Sequence, residues 1–356
     1  MARRKATVLL IDDSAVIRSA LSRCINRCDD LVVINTASNG RIGVDMVRTL
    51  DPDIVVLDVE MPVMNGLEAL AEIRSSHPKL PVLMFSSLTE DGAGVTLEAL
   101  ALGASDYTLK PKTSGIAESV RMVERELLSK IRTLVWAGRP AVGDTTTTST
   151  VTPTTVRPGA VVVGCSTGGP VAFERLLSAI ATPLPVPIYV VQHMPPKYTR
   201  VFAERLDQMT PTTVVEASDG INAQPGHCYI APGGFHMGLR RTGGRVVIRI
   251  VDTPPIKSCK PSIEPLFMSA DAAYGHNLVA VVLTGMGQDG LDGCRQISQN
   301  GGIVIAQDEA TSAVWGIPGA VVRAGVATEV LPIDRIGGRV GALCAPRIAE
   351  TAAAPS

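Results

Sequence analysis

Between Ala137 and Pro158 the chain carries a run of threonines punctuated by Pro140, Gly143, Pro153 and Pro158, with almost no large apolar side chain. A stretch of that kind cannot bury a core, so it divides the molecule into two parts that must each fold around their own apolar runs. The 356 residues suffice for two cores of ordinary domain size. The boundaries predicted are a first domain over 6–133, a flexible Thr/Pro-rich linker over 134–158, a second domain over 159–348 and a disordered tail over 349–356.

Both domains read as α/β. In the first, apolar runs at Thr7–Ile11, Leu31–Ala37, Ile54–Leu57, Pro81–Phe85 and Ala104–Leu109 are predicted strands. Helical patterns lie between them: Ala15–Arg27 behind the cap residue Ser14, Arg41–Leu50, Gly66–Ser75 and a final helix over about Gly115–Thr133. Strands separated by helices imply a parallel sheet with right-handed crossovers. In the second domain, strands are predicted at Ala160–Val163, Pro187–Val191, Val214–Ala217, Leu278–Leu283 and Ile303–Ala306, giving a doubly wound, mainly parallel sheet. Cys228–Ala231, Phe235–Leu239 and Val246–Val251, broken by Gly233-Gly234 and Gly243-Gly244, read as an inserted antiparallel hairpin.

Composition narrows the function. The net charge is −1 and no long basic stretch occurs, which argues against bulk binding of nucleic acid or an anionic membrane. The basic start Met1–Lys5 is followed by only Val8–Ile11 before Asp12, so it is not expected to act as a signal peptide. No run approaches the roughly 20 apolar residues of a membrane span, so direct insertion is not expected. The seven cysteines are scattered and lack a C-x-x-C pair. They read as reduced thiols of a cytoplasmic protein, most of them core filler.

Polar residues gather at the predicted strand ends. Asp12 and Asp13 end the first strand, Asp58 the third, Ser86 the fourth and Lys110 the fifth. In a doubly wound sheet these ends share one edge, where ligands bind. Clustered carboxylates repel unless a hard cation joins them, and oxygen ligands suit Mg2+. With Met61-Pro62 behind Asp58, this set resembles the response-regulator receiver family, over the whole first domain. The resemblance implies a flavodoxin-like (βα)5 fold, Asp58 as phosphoacceptor, and Mg2+ held by Asp12, Asp13, Asp58 and the Glu60 carbonyl. Ser86, Tyr107 and Lys110 match the family's switch positions, serine replacing the commoner threonine at 86.

In the second domain, Ala160–Val163 runs into Gly164-Cys165-Ser166-Thr167-Gly168. A strand ending in a glycine-flanked serine fits a sharp turn that presents a nucleophile. A serine hydroxyl needs a base. His193 directly follows the strand Pro187–Val191 and stands on the same edge. His236, in Ala231–Met237, could line the site, whereas His227 and His276 read as structural or exposed. Asp289, in the glycine-rich turn after Leu278–Leu283, is preferred as orienting carboxylate; Asp292 reads as the start of the next helix. The order Ser166, His193, Asp289 differs from that of the α/β-hydrolases, but the same geometry arises on unrelated folds. A phosphate-binding loop would also fit the short glycine motif alone. No Lys follows it, and His193 and Asp289 at two further strand ends favour catalysis.

Gly164–Gly169, Gln192-His193-Met194-Pro195, Ala231-Pro232-Gly233-Gly234 and Leu283-Thr284-Gly285-Met286-Gly287 together resemble the chemotaxis response-regulator protein-glutamate methylesterases. The resemblance spans nearly the full chain apart from the linker. It implies a hydrolase that demethylates γ-glutamyl methyl esters on chemoreceptors and deamidates receptor glutamines. It also implies activation by a chemotaxis histidine kinase through Asp58. Ser166, His193 and Asp289 would be its catalytic residues, with Thr167 and the main chain at Met286 as oxyanion donors and no cofactor in the catalytic domain. Two rivals are a DNA-binding output, which the large, uncharged second domain argues against, and a non-catalytic scaffold of the same fold.

Overall fold

A computed structural model of the chain describes residues 4–110, 116–136 and 157–345, without the side chains of 116–124. The predicted linker core over 137–156 and the tail over 349–356 lie outside the described residues.

The first domain is a five-stranded parallel sheet in the order β2-β1-β3-β4-β5, formed by Ala6–Ile11, Leu31–Ala37, Ile54–Asp58, Val82–Ser86 and Asp106–Leu109 as β1 to β5. The central strands β3 and β4 are buried along their whole length, which explains their unbroken apolar runs. Helices α1 (Ala15–Asn26), α2 (Gly40–Leu50), α3 (Gly66–Ser76), α4 (Glu90–Ala101) and α5 (Ile116–Trp136) make the crossovers. Their starts are set by side chains. Ser14 accepts from the Ile17 amide, and Asn65 forms a reciprocal box with Glu68; such caps are each worth about 1 kcal/mol. The chain order reverses between β1 and β3, so their carboxyl ends flank the crevice where doubly wound sheets bind ligands.

The second domain holds a seven-stranded sheet, β14-β13-β12-β6-β7-β9-β8, with every recorded pairing parallel. Its strands are β6 (Ala160–Cys165), β7 (Ile188–Gln192), β8 (Thr213–Glu216), β9 (His227–Ile230), β12 (Leu278–Val282), β13 (Ile303–Gln307) and β14 (Glu329–Leu331). A separate antiparallel pair, β10 (His236–Thr242) with β11 (Arg245–Val251), turns at Gly243-Gly244, both with positive φ (55° and 79°), as a two-residue hairpin requires. The predicted hairpin insert is therefore smaller than expected. Cys228–Ile230 belongs to the main sheet, parallel to β7 and β8, where Cys228, Tyr229 and Ile230 are all buried. Burial on both faces, not hairpin pairing, accounts for that apolar run.

The helices α6 (Gly169–Ser178), α7 (Tyr198–Met209), α8 (Ile263–Tyr274), α9 (Leu291–Gln299), α10 (Ile317–Arg323) and α11 (Ile333–Cys344) cover this sheet. Among the described residues no helix is long and apolar enough to cross a membrane.

Candidate active site

Three neighbouring strands, β12, β6 and β7, end on one edge and carry Asp289, Ser166 and His193 on the segments that follow them. Adjacent strands lie about 4.8 Å apart, so residues more than a hundred positions apart in the chain are brought within side-chain reach. The chain order also reverses between β6 and β12, placing Ser166 beside the sheet's own crevice.

The turn at Ser166 is held by backbone. The Ser166 amide donates to Thr284 O (3.0 Å), and the Gly169 amide returns to Ser166 O (2.8 Å). Gly168, at φ 73°, opens α6 in the left-handed conformation. Gly285 passes so close that a methyl group there would lie 2.7 Å from Ser166 Cβ; only glycine leaves the serine in place. Thr284 Oγ1 donates to Thr167 O (2.9 Å) and ties the turn to the loop after β12. Behind it, Gln192 Nε2 donates to Ser166 O (2.9 Å).

His193 Nε2 and Asp289 Oδ2 are 2.9 Å apart. Asp289 is buried, with Oδ1 accepting from Ser262 Oγ (2.8 Å) and Oδ2 also from the Ile263 amide (2.7 Å). Burial pushes this carboxyl up, but His193, the Ile263 amide and Ser262 together hold it below the usual carboxylate range. Burial pulls the His193 imidazole down, yet Asp289 and the neighbouring Cys259 outweigh it and raise its pKa to about 9.

The other predicted site residues fall into place unequally. Thr167 is buried in the turn and Met286 follows Gly285 in the facing loop. His236 does not line the cleft. It is fully buried, its Nδ1 accepting from the Ser262 amide (3.1 Å) and its Nε2 lying 3.1 Å from Pro254 O. It therefore supports the segment that supports Asp289. Asp292 sits in the first turn of α9, His276 is exposed, and the His227 ring meets Pro225 O. Sequence reasoning missed Ser262, Cys259 and Tyr198. Ser262 carried a readable signal as the cap of α8, its hydroxyl accepting from the Glu264 amide; Cys259 carried none.

In the first domain, Asp12, Asp13 and Asp58 offer carboxylate oxygens within 4.8 Å of one another. Lys110 Nζ lies 2.6 Å from Asp58 Oδ1 and 3.7 Å from Asp12 Oδ2. Burial raises Asp58 to about 6 despite Lys110, and raises Asp12 as well. Asp12 Oδ2 and Asp58 Oδ2 are buried without a hydrogen-bond partner. Orphaned buried oxygens in an all-oxygen cluster fit a hard divalent cation. Glu60 contributes its amide to Asp58 Oδ1 (3.3 Å), and beside it a cavity is lined by Asp13, Glu60, Met61 and Asn65.

Of the remaining predicted residues, Ser86 and Tyr107 face the second domain, whereas Lys110 turns to Asp58 and Asp12. Tyr198, at the start of α7, stacks on Tyr107 with ring centroids 5.0 Å apart. Its hydroxyl lies 3.1 Å from Ser86 Oγ and 3.0 Å from Ser87 O. Nearby, Arg200 pairs with Glu90 at 2.8 Å. From α5, Ser129 and Thr133 donate to Met286 Sδ (3.3 and 3.1 Å), and Val314 joins the core of the first domain.

A receiver-type sheet docked on a larger hydrolytic α/β domain is the plan of a switched signalling enzyme. Family models agree with the division: residues 8–121 match the response regulator receiver domain and residues 161–340 the CheB methylesterase. A protein-glutamate methylesterase/protein-glutamine glutaminase of a Nocardioides species is 45% identical over 341 residues, covering 93% of each chain. One from Trichodesmium erythraeum is 39% identical over 93% of this chain and 97% of its own. The CheB methylesterase catalytic domain of Thermotoga maritima superposes with a TM-score of 0.51 at 40% identity, covering 53% of this chain and all of that one. The chain belongs to the CheB family of protein-glutamate methylesterases/protein-glutamine glutaminases, chemotaxis hydrolases with an N-terminal receiver domain.

Proposed function

We propose that Ser166, His193 and Asp289 perform the hydrolysis and that phosphorylation of Asp58 releases it. The reading rests above all on the 2.9 Å contact between His193 Nε2 and Asp289 Oδ2 at the strand ends beside Ser166. With Nε2 committed to Asp289, Nδ1 is the ring nitrogen left to take the Ser166 proton. Ser166 Oγ attacks the carbonyl carbon of a γ-glutamyl methyl ester on a chemoreceptor while the imidazole accepts its proton. The tetrahedral oxyanion is held by the main-chain amides at Thr167 and Met286, one such donor being worth about 3 kcal/mol. Collapse returns the proton to the methoxide, and methanol leaves. Water then attacks the acyl-enzyme with the imidazole as base, freeing glutamate and restoring Ser166. A receptor glutamine follows the same course with ammonia leaving. Asp289 stays ionised throughout and stabilises the imidazolium.

In the receiver, Asp12, Asp13 and Asp58, with the Glu60 carbonyl, would hold Mg2+, which neutralises charge on an incoming phosphoryl group. A chemotaxis histidine kinase supplies that group in the cytoplasm. Lys110 then pairs with the phosphoryl oxygens, and Ser86 turns its hydroxyl toward them. Ser86 cannot do so while keeping its place against Tyr198, so phosphorylation weakens the contact between the domains. Because Ser129 and Thr133 touch Met286 beside the cleft, separation also opens the site.

Treatment with a serine-directed phosphonate tests the nucleophile. A single adduct on Ser166 and loss of methanol release by roughly 10^5-fold or more in Ser166→Ala are expected. An unlabelled serine with intact methanol release ends this reading.

A further inference from the structure

Beside the hydrolytic residues stands a thiol that the mechanism does not use. The Cys259 sulfur, a ring nitrogen of His193 and a carboxylate oxygen of Asp289 all lie within 4.8 Å of one another. They come from three separate segments: the loop after β7, the turn after β12 and the stretch leading into α8. We propose that these three residues form an inhibitory Zn2+ site inside the cleft.

The donor set selects the metal. One imidazole nitrogen, one sulfur and one carboxylate oxygen match borderline-soft Zn2+, which takes four such ligands in a tetrahedron. The receiver trio Asp12, Asp13 and Asp58 offers oxygen alone and suits Mg2+ instead. The same chain thus carries a hard cation site in one domain and a softer one in the other.

The nitrogen and oxygen ligands need little adjustment. Zn–N and Zn–O bonds of about 2.0–2.1 Å at a tetrahedral angle put nitrogen and oxygen about 3.3 Å apart. His193 Nε2 and Asp289 Oδ2 stand at 2.9 Å, so this pair needs to separate by only a few tenths of an ångström, with the Cys259 sulfur already within 4.8 Å. The ligands are also fixed in advance. Ser262 Oγ and the Ile263 amide grip Asp289. Cys259 closes a two-residue turn, exchanging backbone hydrogen bonds with Ile256 (3.1 and 2.8 Å) around Lys257 and Ser258, both at positive φ. Ligands held beforehand lose less freedom on binding. His193 and Cys259 are each partly open to the cleft, which gives the ion a path, and water fills the fourth position.

Binding displaces the protons that the ligand atoms hold, and leaves the neutral nitrogen and the thiolate on the metal. The ligated imidazole can no longer serve Ser166. Inhibition, though not binding, rests on the catalytic reading above.

Co2+ gives a direct probe, using the chelator-treated full chain without phosphodonor. One equivalent should bind with a near-ultraviolet thiolate-to-cobalt charge-transfer band. The band should persist in Ser166→Ala and vanish in Cys259→Ser. In parallel, saturating Zn2+ should lower methanol release from methylated receptor membranes by about tenfold or more, reversibly by chelator, and Cys259→Ser should escape most of that loss. Absence of the thiolate band, equal Zn2+ sensitivity in Cys259→Ser, or stimulation by Zn2+ would each overturn the proposal. If the metal-free chain released no methanol at all, the catalytic reading would fall while the cobalt spectrum still decided the metal site.

Discussion

At the scale of single residues the cleft is governed by one imidazole between a carboxylate and a thiol. Asp289 and Cys259 raise His193 to about 9 against the pull of burial. The protonated ring cannot accept the Ser166 proton, so activity should climb with pH along a limb centred above the usual 6.5. Cys259→Ser removes one of the raising groups and should move that limb to lower pH. The measurement is kcat/KM against pH in chelator-treated protein, and a limb at or below 6.5 in the parent chain would contradict the assignment. The sign for stability follows from the same shift. The His193–Asp289 pairing contributes fully below about 6.5 as long as Asp289 is ionised, fades as pH rises through about 9, and is lost in acid when the lowered Asp289 carboxyl protonates.

At the scale of elements, the start of α8 acts as a brace. Ser262 caps the helix and donates to Asp289, while buried His236 holds the Ser262 amide. Ser262→Ala leaves Asp289 Oδ1 without its partner, a cost of about 1–3 kcal/mol. We expect kcat to fall by about tenfold with KM little changed, because the loss concerns orientation and not substrate contact; a rise in KM alone would place Ser262 in substrate binding. Much of this architecture was legible beforehand. Ser166, His193 and Asp289 each follow a short apolar run, and strand ends on one sheet edge meet whatever their separation in sequence. The brace was not legible, since nothing in Cys259–Glu264 announces which strand end it will face. The run at Cys228–Ile230 was misjudged for a related reason. A strand buried on both faces and one arm of a hairpin look alike when a glycine pair follows.

At the scale of the whole molecule, Tyr198 joins the two domains. It stacks on Tyr107, and its hydroxyl meets Ser86 and Ser87. Tyr198→Phe keeps the ring contact and removes the hydroxyl. Losing one net hydrogen bond of about 1 kcal/mol should raise the open population roughly fivefold. Methanol release by the unphosphorylated chain should increase accordingly, and the gain on adding phosphodonor should shrink. Unchanged basal activity would mean that the domains are held elsewhere, for instance at Met286.

His193 opens the connection after β7 and Tyr198 begins α7, so the proposed general base and the grip on the neighbouring domain stand within six positions of chain. A receiver borrowed from another protein would bring its own phosphorylation chemistry but no matching seat for that tyrosine. Such a chimera should be permanently on, and exchanging signal inputs for this enzyme would require grafting the seat along with the sensor.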